Sequence, residues 1–156
     1  DLRFYFLGEG EDRRKLQELS SNLGVDARCE FPGYVMPVAP IVSRSVCVVL
    51  PTLREGFSPA ALESMALGVP VLASATGGLL EMIQPGEDGL LFSAGDLNEM
   101  QLAISRILDD PELGRALGER AREKVATRFS SEQMIENTIG VYQSVLSSST
   151  GKGVLQ

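Results

Sequence analysis

The sequence predicts an α/β fold with a doubly wound, mostly parallel sheet, helices on both faces and further helices at the C-terminal end. Short apolar runs of strand length alternate with segments in which apolar residues recur at helical spacing. Strands joined by a helix pair in parallel, because parallel strands need a long crossover connection. With 156 residues the chain is large enough for one domain, which we place at residues 1–147.

The predicted strands are 2–7, 27–31, 46–50, 69–74 and 89–92, and the helices between them are 13–23, 38–43, 59–67 and a short one ending at residue 83. Strand 46–50 is apolar throughout, as strands buried on both faces of a parallel sheet usually are. Pro59 suits the first position of a helix, whereas Gly68 and Pro70 end that helix.

Three helices are predicted to complete the chain. Asp96 with Glu99 three residues later forms a capping box for a helix to about residue 108, and Asp110 before a proline begins the next helix. Ser130 caps the third helix. Its apolar residues are expected to face inward: Met134, Ile135, Ile139, Tyr142, Val145 and Leu146. The small, polar residues at 148–156 predict a flexible tail.

The composition excludes several classes of function. Acidic residues outnumber basic ones by 21 to 14, which gives a formal net charge of −7, whereas nucleic acids and anionic membrane surfaces attract a local excess of Lys and Arg. The absence of histidine excludes histidine-based triads and metal sites. Cys29 and Cys47 lie in strand-like segments without C-x-x-C spacing, so we expect reduced core thiols in a cytoplasmic protein.

Ligands of such folds bind beyond the carboxyl ends of the strands. Four loops occupy such positions: 8–12, 33–36, 52–59 and 75–78. In the first of them, Gly8 and Gly10 lack the third glycine of the dinucleotide fingerprint, since Arg13 stands there. Glu9 would also repel a pyrophosphate. We therefore interpret the two glycines as turn residues.

The loop after the third strand carries the strongest signal. Glu55 lies at the carboxyl end of the strand, and Gly56 permits the close approach of a ligand. Free backbone amides follow at Phe57 and Ser58, and Glu63 lies one turn inside the next helix. Two carboxylates beside an amide-rich turn suit the vicinal hydroxyls and the phosphate of a sugar nucleotide. The alternative is that both glutamates only complement the helix dipole.

Residues 55–92, EGFSPAALESMALGVPVLASATGGLLEMIQPGEDGLLF, resemble the donor-binding segment of the retaining GT-B glycosyltransferases of family 4, the glycosyl transferases group 1. The matching parts are the E-x7-E element EGFSPAALE, the helix end MALGVPVLAS, the turn GGLLE and the segment GEDGLLF. The similarity extends to FLGEGEDRRKLQEL, FPGYV, GDLNEMQLAISRIL and RFSSEQM. The resemblance implies the Rossmann-like, C-terminal half of a GT-B fold without its first βα unit.

The resemblance also implies roles for the loop residues. Glu55 is expected to contact the hydroxyls of the donor sugar, as the catalytic residue of the site. Glu63 is expected to hold the 2′ and 3′ hydroxyls of the ribose. Gly56, Phe57 and Ser58 are expected to line the sugar and the diphosphate.

Further candidates by resemblance lie outside this loop. Tyr34 and Val35 are expected to hold the edge of the base through backbone atoms, and an exposed turn aromatic is an equal alternative for Tyr34. Gly77 and Gly78 resemble the turn that faces the donor phosphates or the acceptor cleft, although an ordinary tight turn explains them as well. Glu81 is expected to be an acid in the first turn of a helix.

Two departures from the family pattern bear on the site. The family often uses the backbone amide at position 59, but Pro59 has no N–H to donate. The chain also begins in an apolar strand without an initiator Met, after the strand and helix in which the family carries an Arg and a Lys for the diphosphate. We therefore expect a fragment of a longer protein that is inactive alone, lacks the N-terminal acceptor domain, and reaches membranes only through that absent domain.

The absent first strand has a consequence for the sheet. Strands 2–7 and 46–50 would lose their shared neighbour. Exposed strand edges pair with whatever is available. We expect either that the sheet closes up or that two chains form a dimer through these edges.

The activity implied for the whole protein is the transfer of a sugar from a nucleotide-activated donor to an acceptor, with retention of anomeric configuration. The nucleotide-diphosphate sugar is the substrate, and no metal or other cofactor is expected. A module that holds a nucleotide without transferring sugar would share every motif. A different GT-B enzyme, such as a sugar-nucleotide epimerase, is a further alternative. The base, the sugar and the acceptor do not follow from residue identity.

Overall fold

The computed structural model describes residues 2–150, with side chains through residue 147, and the chain divides into two compact units, Asp1–Val38 and Ala39–Gln156. The predicted tail falls mostly outside the described residues, at 151–156. Its first three residues, 148–150, belong to the last helix instead.

The first unit contains β1 (Phe4–Leu7), α1 (Arg13–Asn22), a 3₁₀ turn (Asp26–Arg28) and β2 (Cys29–Gly33). The two strands pair in parallel, with Phe4 opposite Cys29. The second strand begins two residues later than predicted because the 3₁₀ turn occupies its start. All four residues of β1 are exposed, so this apolar strand is not the core strand that its sequence suggests. A two-stranded sheet with one helix of ten residues has too few layers to cover both faces of a strand.

The second unit contains α2 (Ala39–Val42), β3 (Val48–Leu50), α3 (Pro59–Ala66), β4 (Val71–Ser74), α4 (Leu79–Met82), β5 (Leu90–Phe92), α5 (Leu97–Asp109), α6 (Pro111–Arg128) and α7 (Ser131–Thr150). Strands β3, β4 and β5 form a parallel sheet in that order. Strand β4 is central and fully buried. Strand β3, which the sequence predicts to be buried on both faces, is only half-buried because it lies at the edge of this sheet.

Helices cover both faces of the three-stranded sheet, which confirms the predicted α/β fold class. Along β4, Val71 and Ala73 point to one face and pack with residues of α3, α4 and α6. Leu72 points to the opposite face and packs with residues of α5, β5 and Leu117. The alternation follows from the two-residue period of a strand. All buried hydrophobic residues of the described chain lie between Val42 and Val125, in the second unit.

Three predicted helix starts are confirmed by their caps. The Asp96 carboxylate accepts the amides of Asn98 and Glu99, at 2.9 and 3.0 Å. The Asp110 carboxylate accepts the Leu113 amide, and the Ser130 hydroxyl accepts an amide in the first turn of α7. The capping box differs in one detail. The Glu99 carboxylate accepts the Ser93 amide at 2.7 Å rather than the amide of Asp96.

The inward face predicted for α7 is wrong for the described residues. Its apolar side chains are between 48% and 68% exposed: Met134, Ile135, Ile139, Tyr142, Val145 and Leu146. The periodicity identifies an apolar face correctly. Burial also requires a neighbouring element, and within the described chain this face is largely open to solvent.

The two predicted consequences for strand pairing have different outcomes. Strands β1 and β3 belong to different sheets, so the predicted closing of the sheet is wrong. Association of two chains through these edges stays a prediction. Cys29 and Cys47 are free thiols, as predicted, but they are half-buried rather than core residues. Burial raises the pKa of the Cys47 thiol, which keeps it in the less reactive protonated form.

A buried ion pair joins the turn before β5 to helix α6. Lys124 Nζ donates to Asp88 Oδ2 at 2.6 Å, and the two side chains are 13% and 8% exposed. Asp88 Oδ1 also accepts the backbone amide of Gln84 at 2.7 Å. The Arg120 guanidinium donates to the carbonyl of Glu87 in the same turn. These contacts fix the path of the chain into β5.

Candidate functional site

The candidate site in the second unit is formed by two loops that leave neighbouring parallel strands. One loop runs from β3 to α3 and carries Glu55, Gly56, Phe57 and Ser58. The other runs from β4 to α4 and carries Gly77 and Gly78. Because β3 and β4 are adjacent and parallel, both loops leave the same edge of the sheet. Ligands of α/β proteins bind at this edge.

The two loops are in direct backbone contact. The Gly78 amide donates to the carbonyl of Glu55 at 3.3 Å. A Cβ atom on Gly77 would lie 1.7 Å from the Glu55 carbonyl oxygen, and one on Gly78 would lie 1.8 Å from the Gly56 carbonyl oxygen. Thr76 Oγ1 is 3.5 Å from the carbonyl oxygen of Leu53. Only a residue without a side chain fits at the two glycine positions. Both glycines therefore allow the Glu55 loop to pack directly against this turn.

Ser58 caps helix α3 with its side chain. The residue is 2% exposed, and its hydroxyl accepts the amide of Ala61 at 3.4 Å. Pro59 occupies the first position of the helix, where an N–H would have no partner within the helix. The Ser58 hydroxyl is therefore used by the helix, and its backbone amide remains as the group that a ligand could contact.

Four backbone amides at the start of α3 have no acceptor within residues 2–150. They belong to Gly56, Phe57, Ser58 and Ala60. Ala60 is not a candidate from the sequence, and its position after Pro59 is the signal that could identify it. It carries the first N–H of the helix that neither a capping side chain nor the helix itself uses. Free amides at a helix N-terminus suit an anionic group such as a phosphate.

The two glutamates flank this group of amides along the chain. Glu55 is half-buried in the loop, and Glu63 is exposed in the second turn of α3. Neither forms an ion pair within the part of the chain that the structure describes. Both carboxylates are therefore free to accept hydrogen bonds from hydroxyl groups.

Phe57 has a partner that the sequence does not indicate. Its ring is 53% exposed and lies in a tilted arrangement with the ring of Phe129, with centroids 6.3 Å apart and planes at 51°. Phe129 directly follows α6. The two residues are far apart in the sequence, and no local pattern connects them.

In the first unit, Tyr34 and Val35 follow β2, where Tyr34 is 70% exposed. Gly33, with φ of +79°, precedes them and accepts the Gly8 amide at 2.8 Å. This bond agrees with the interpretation of Gly8 as a turn glycine. The exposure of Tyr34 suits both a base-binding residue and an exposed turn aromatic.

An ion pair anchors this turn of the first unit. Arg13 donates to the Glu9 carboxylate at 2.8 Å and to the carbonyl of Phe31 at 2.5 Å. A Cβ atom on Gly33 would lie 2.2 Å from Glu9 Oε1. Glu9 thus contacts the turn instead of lying free beside a nucleotide site.

The remaining predictions on chemistry concern acids, metals and membranes. Glu81 lies exposed in the first turn of α4, as predicted. Within residues 2–150, no three His, Cys, Asp or Glu side chains converge as metal ligands. No helix in the same part of the chain combines the length and hydrophobicity needed to cross a bilayer.

Comparison with known proteins gives concordant matches in sequence and in structure. A family model described as "Glycosyl transferases group 1" matches residues 1–124. The N-acetyl-alpha-D-glucosaminyl L-malate synthase of Bacillus anthracis is 34% identical over 146 residues, which are 94% of this chain and 38% of that protein. The chain therefore spans about two fifths of the length of this relative.

Two solved structures illustrate the match in fold. Sucrose-phosphate synthase from Thermosynechococcus elongatus superposes with a TM-score of 0.83 and 32% identity, over 92% of this chain and 38% of that chain. Anabaena HepE in complex with UDP-glucose superposes with a TM-score of 0.84 and 22% identity, over 91% of this chain and 41% of that chain. At that identity the second match shows the fold alone.

Proposed function

The chain belongs to the glycosyl transferases group 1 family, and from this we propose that it binds the nucleotide-diphosphate sugar of a retaining GT-B glycosyltransferase of family 4. The full-length protein would transfer the sugar to an acceptor with retention at the anomeric carbon. One observation carries the proposal. The loop of Glu55 is seated on Gly77 and Gly78, and it leaves unpaired amides and two free carboxylates at the carboxyl edge of the sheet.

The proposed roles follow the resemblance and the chemistry of these groups. Glu55 accepts hydrogen bonds from hydroxyls of the donor sugar and orients it, as the catalytic residue. Glu63 accepts from the 2′ and 3′ hydroxyls of the ribose. The amides of Gly56, Phe57 and Ser58 donate to the sugar and the diphosphate, and we add the amide of Ala60. Anabaena HepE, with the same fold, is described in complex with UDP-glucose, which supports a donor of this class.

The largest contribution to transfer would come from the diphosphate. As the bond to the sugar breaks, negative charge builds on the departing nucleoside diphosphate. Preorganised amides and the positive end of α3 stabilise that charge without reorganisation. Gly77 and Gly78 hold the loop in position, and the turn that they form faces the donor phosphates or the acceptor cleft. We propose that no metal or other cofactor is needed.

We also propose that Tyr34 and Val35 hold the edge of the base through backbone atoms. The Gly33 turn that precedes them is fixed by Glu9, Arg13 and the bond from Gly8. A backbone-mediated contact requires such a fixed turn, because the main chain must hold one geometry for the base.

The nucleotide site is tested by calorimetric titration of the full-length protein with UDP, GDP and ADP. We expect one nucleotide to bind, and we expect Glu63→Ala to weaken it by about 10- to 150-fold, because a hydrogen bond to a charged group contributes about 1.5–3 kcal/mol. Glu123→Ala removes another exposed helical glutamate and should bind like the wild type. Equal affinity in Glu63→Ala, or no binding of any of the nucleotides, contradicts the proposal.

A transfer assay separates the enzyme from a module that only holds a nucleotide. An enzyme turns over the bound sugar nucleotide in the presence of acceptor, and Glu55→Ala abolishes turnover while the nucleoside diphosphate still binds. A non-catalytic module shows binding and no turnover in either form.

Gly56→Ala provides a test of donor contact that is independent of stability. A Cβ atom at Gly56 meets no atom within 4 Å, and its φ is not positive. The variant should therefore be as stable as the wild type or more stable by about 0.4–1 kcal/mol. A donor lying against Gly56 would clash with the new methyl group, so we expect the affinity to fall at least about tenfold.

The control for this variant is Gly140→Ala in helix α7, which is equally open. It should raise the melting temperature and leave donor affinity unchanged. If Gly56→Ala binds the sugar nucleotide as tightly as the wild type, the donor does not approach this glycine.

A further inference from the structure

Phe129, in the segment RFSSEQM, lies outside the two loops of the candidate site and contacts them through the ring of Phe57. It follows the last residue of α6, and its amide donates to the Val125 carbonyl at 3.0 Å. Its side chain is partly buried against the core cluster that contains Met65 and Ala121. The ring thus packs against the core and also contacts the ring of Phe57.

The main chain at residue 57 is also in contact with the Gly78 turn. A Cβ atom on Gly78 would lie 3.5 Å from the Cα atom of Phe57, so the backbone of Gly78 lies close to the main chain there. Phe57 is therefore held by the Gly78 turn through its backbone and by Phe129 through its ring. The direct hydrogen bonds between the Glu55 loop and the turn of Gly77 and Gly78 are long. The Gly78 amide lies 3.3 Å from the Glu55 carbonyl oxygen, and Thr76 Oγ1 lies 3.5 Å from that of Leu53. Bonds of this length give the loop little rigidity.

We infer that Phe129 is a positioning residue that holds the loop of Glu55 in its binding geometry. The functional part of this inference rests on the proposed donor site. The structural part does not. An edge-to-face or tilted aromatic pair contributes beyond the area that it buries. Without the ring of Phe129, the Phe57 ring has solvent on that side, and the amides of Phe57 and Ser58 lose a fixed direction.

The test uses Phe129→Leu, which keeps an apolar side chain on the core and removes the ring. We expect faster amide hydrogen exchange at Gly78 and altered NMR shifts at the amides of Phe57 and Ser58 in the ligand-free protein. In the full-length protein we expect nucleotide affinity to fall by about three- to tenfold, the range that corresponds to one aromatic pair. Phe129→Tyr keeps the ring and should restore both measurements.

Two comparisons make the outcome specific. Tyr142→Leu removes an exposed ring on α7 and should change neither measurement. In a double-mutant cycle, Phe57→Leu and Phe129→Leu should be non-additive in nucleotide affinity, because each removes the same contact.

The inference is overturned if Phe129→Leu leaves Gly78 exchange and nucleotide affinity unchanged, even where it lowers the melting temperature, because the residue would then serve only the core. It is also overturned if the two substitutions are additive. Absence of nucleotide binding in the wild type would instead refute the proposed function, and the exchange measurement would still decide whether Phe129 positions the loop.

Discussion

Gly78→Ala is expected to weaken binding of the sugar nucleotide by about 10- to 150-fold, because the loop must move and its amides then lose a hydrogen bond to the charged diphosphate, which contributes about 1.5–3 kcal/mol. The new Cβ atom would lie 1.8 Å from the carbonyl oxygen of Gly56 and 3.5 Å from the Cα atom of Phe57. The first distance is far below a possible contact, and the neighbouring atom is backbone, which cannot rotate away. The loop must therefore move. Overpacking of this kind also destabilises the fold by about 1–3 kcal/mol.

The measurements are nucleotide affinity and the melting temperature of the same sample. Gly10→Ala is the control, since that glycine has no positive φ and no atom within 4 Å of a built Cβ. It should leave the affinity unchanged and should not lower the melting temperature. A Gly78→Ala variant with wild-type affinity would show that the loop can shift without consequence for the ligand. That result would contradict the proposal that the contact between Gly78 and the Glu55 loop positions the donor site.

Lys124→Met is expected to lower the free energy of unfolding by about 3–5 kcal/mol, because it leaves the buried carboxylate of Asp88 without its counter-charge. The ammonium group lies 2.6 Å from that carboxylate, and Asp88 is 8% exposed. For a domain of this size, the melting temperature should fall by roughly 6–20 °C. The loss comes from the uncompensated charge rather than from the value of the pair, since buried pairs replaced as a unit are often neutral.

A double variant tests that explanation. Asp88→Asn combined with Lys124→Met removes both charges and keeps an oxygen that accepts the Gln84 amide. It should recover much of the lost melting temperature. Lys15→Met, at the exposed pair with Asp12, is the control and should leave the melting temperature unchanged. A double variant that melts lower than Lys124→Met alone would show that the Asp88 carboxylate stabilises the fold even without Lys124, which contradicts the explanation by an uncompensated charge.

The parts of the fold that the sequence predicts well are governed by nearby residues. Asp96, Asp110 and Ser130 each accept an amide two or three residues later, so a short stretch of sequence contains the whole interaction. Pro59 at the first position of α3 is a rule of the same kind. The order of strands and helices is likewise predicted from local patterns, and that order places residue 55 in a loop between a strand and a helix.

The contacts that hold the site could not be predicted in this way. The Gly78 turn meets the Glu55 loop more than twenty residues away along the chain, and Phe129 contacts Phe57 across an even longer separation. Adjacent glycines after a strand do signal a close approach, but they do not identify the approaching segment. Likewise, Lys124 on α6 appears in the sequence as part of an alternating, solvated charge pattern, and only the fold brings it to Asp88.

Burial of apolar faces was the least predictable property. The apolar patterns of β1 and α7 are correct as patterns, but their side chains are exposed in the described residues. A pattern reports which side of an element is apolar. Burial depends on another element being present on that side, and no single segment carries that information.

The buried hydrophobic residues of the described chain all lie between Val42 and Val125. Selection for stable folding therefore acts unequally on the two units. Local opening requires the least free energy where few apolar contacts are lost, so we expect the backbone amides of the first unit to exchange faster than those of β4. Selection for folding therefore acts mainly on residues 39–128, where the proposed donor loop is subject to selection for binding as well. Substitutions before residue 38 remove no buried hydrophobic side chain of the described chain, so we expect selection for folding to constrain them less. Genetic variation is therefore expected to be wider in the first unit than around the buried strand β4 of the second.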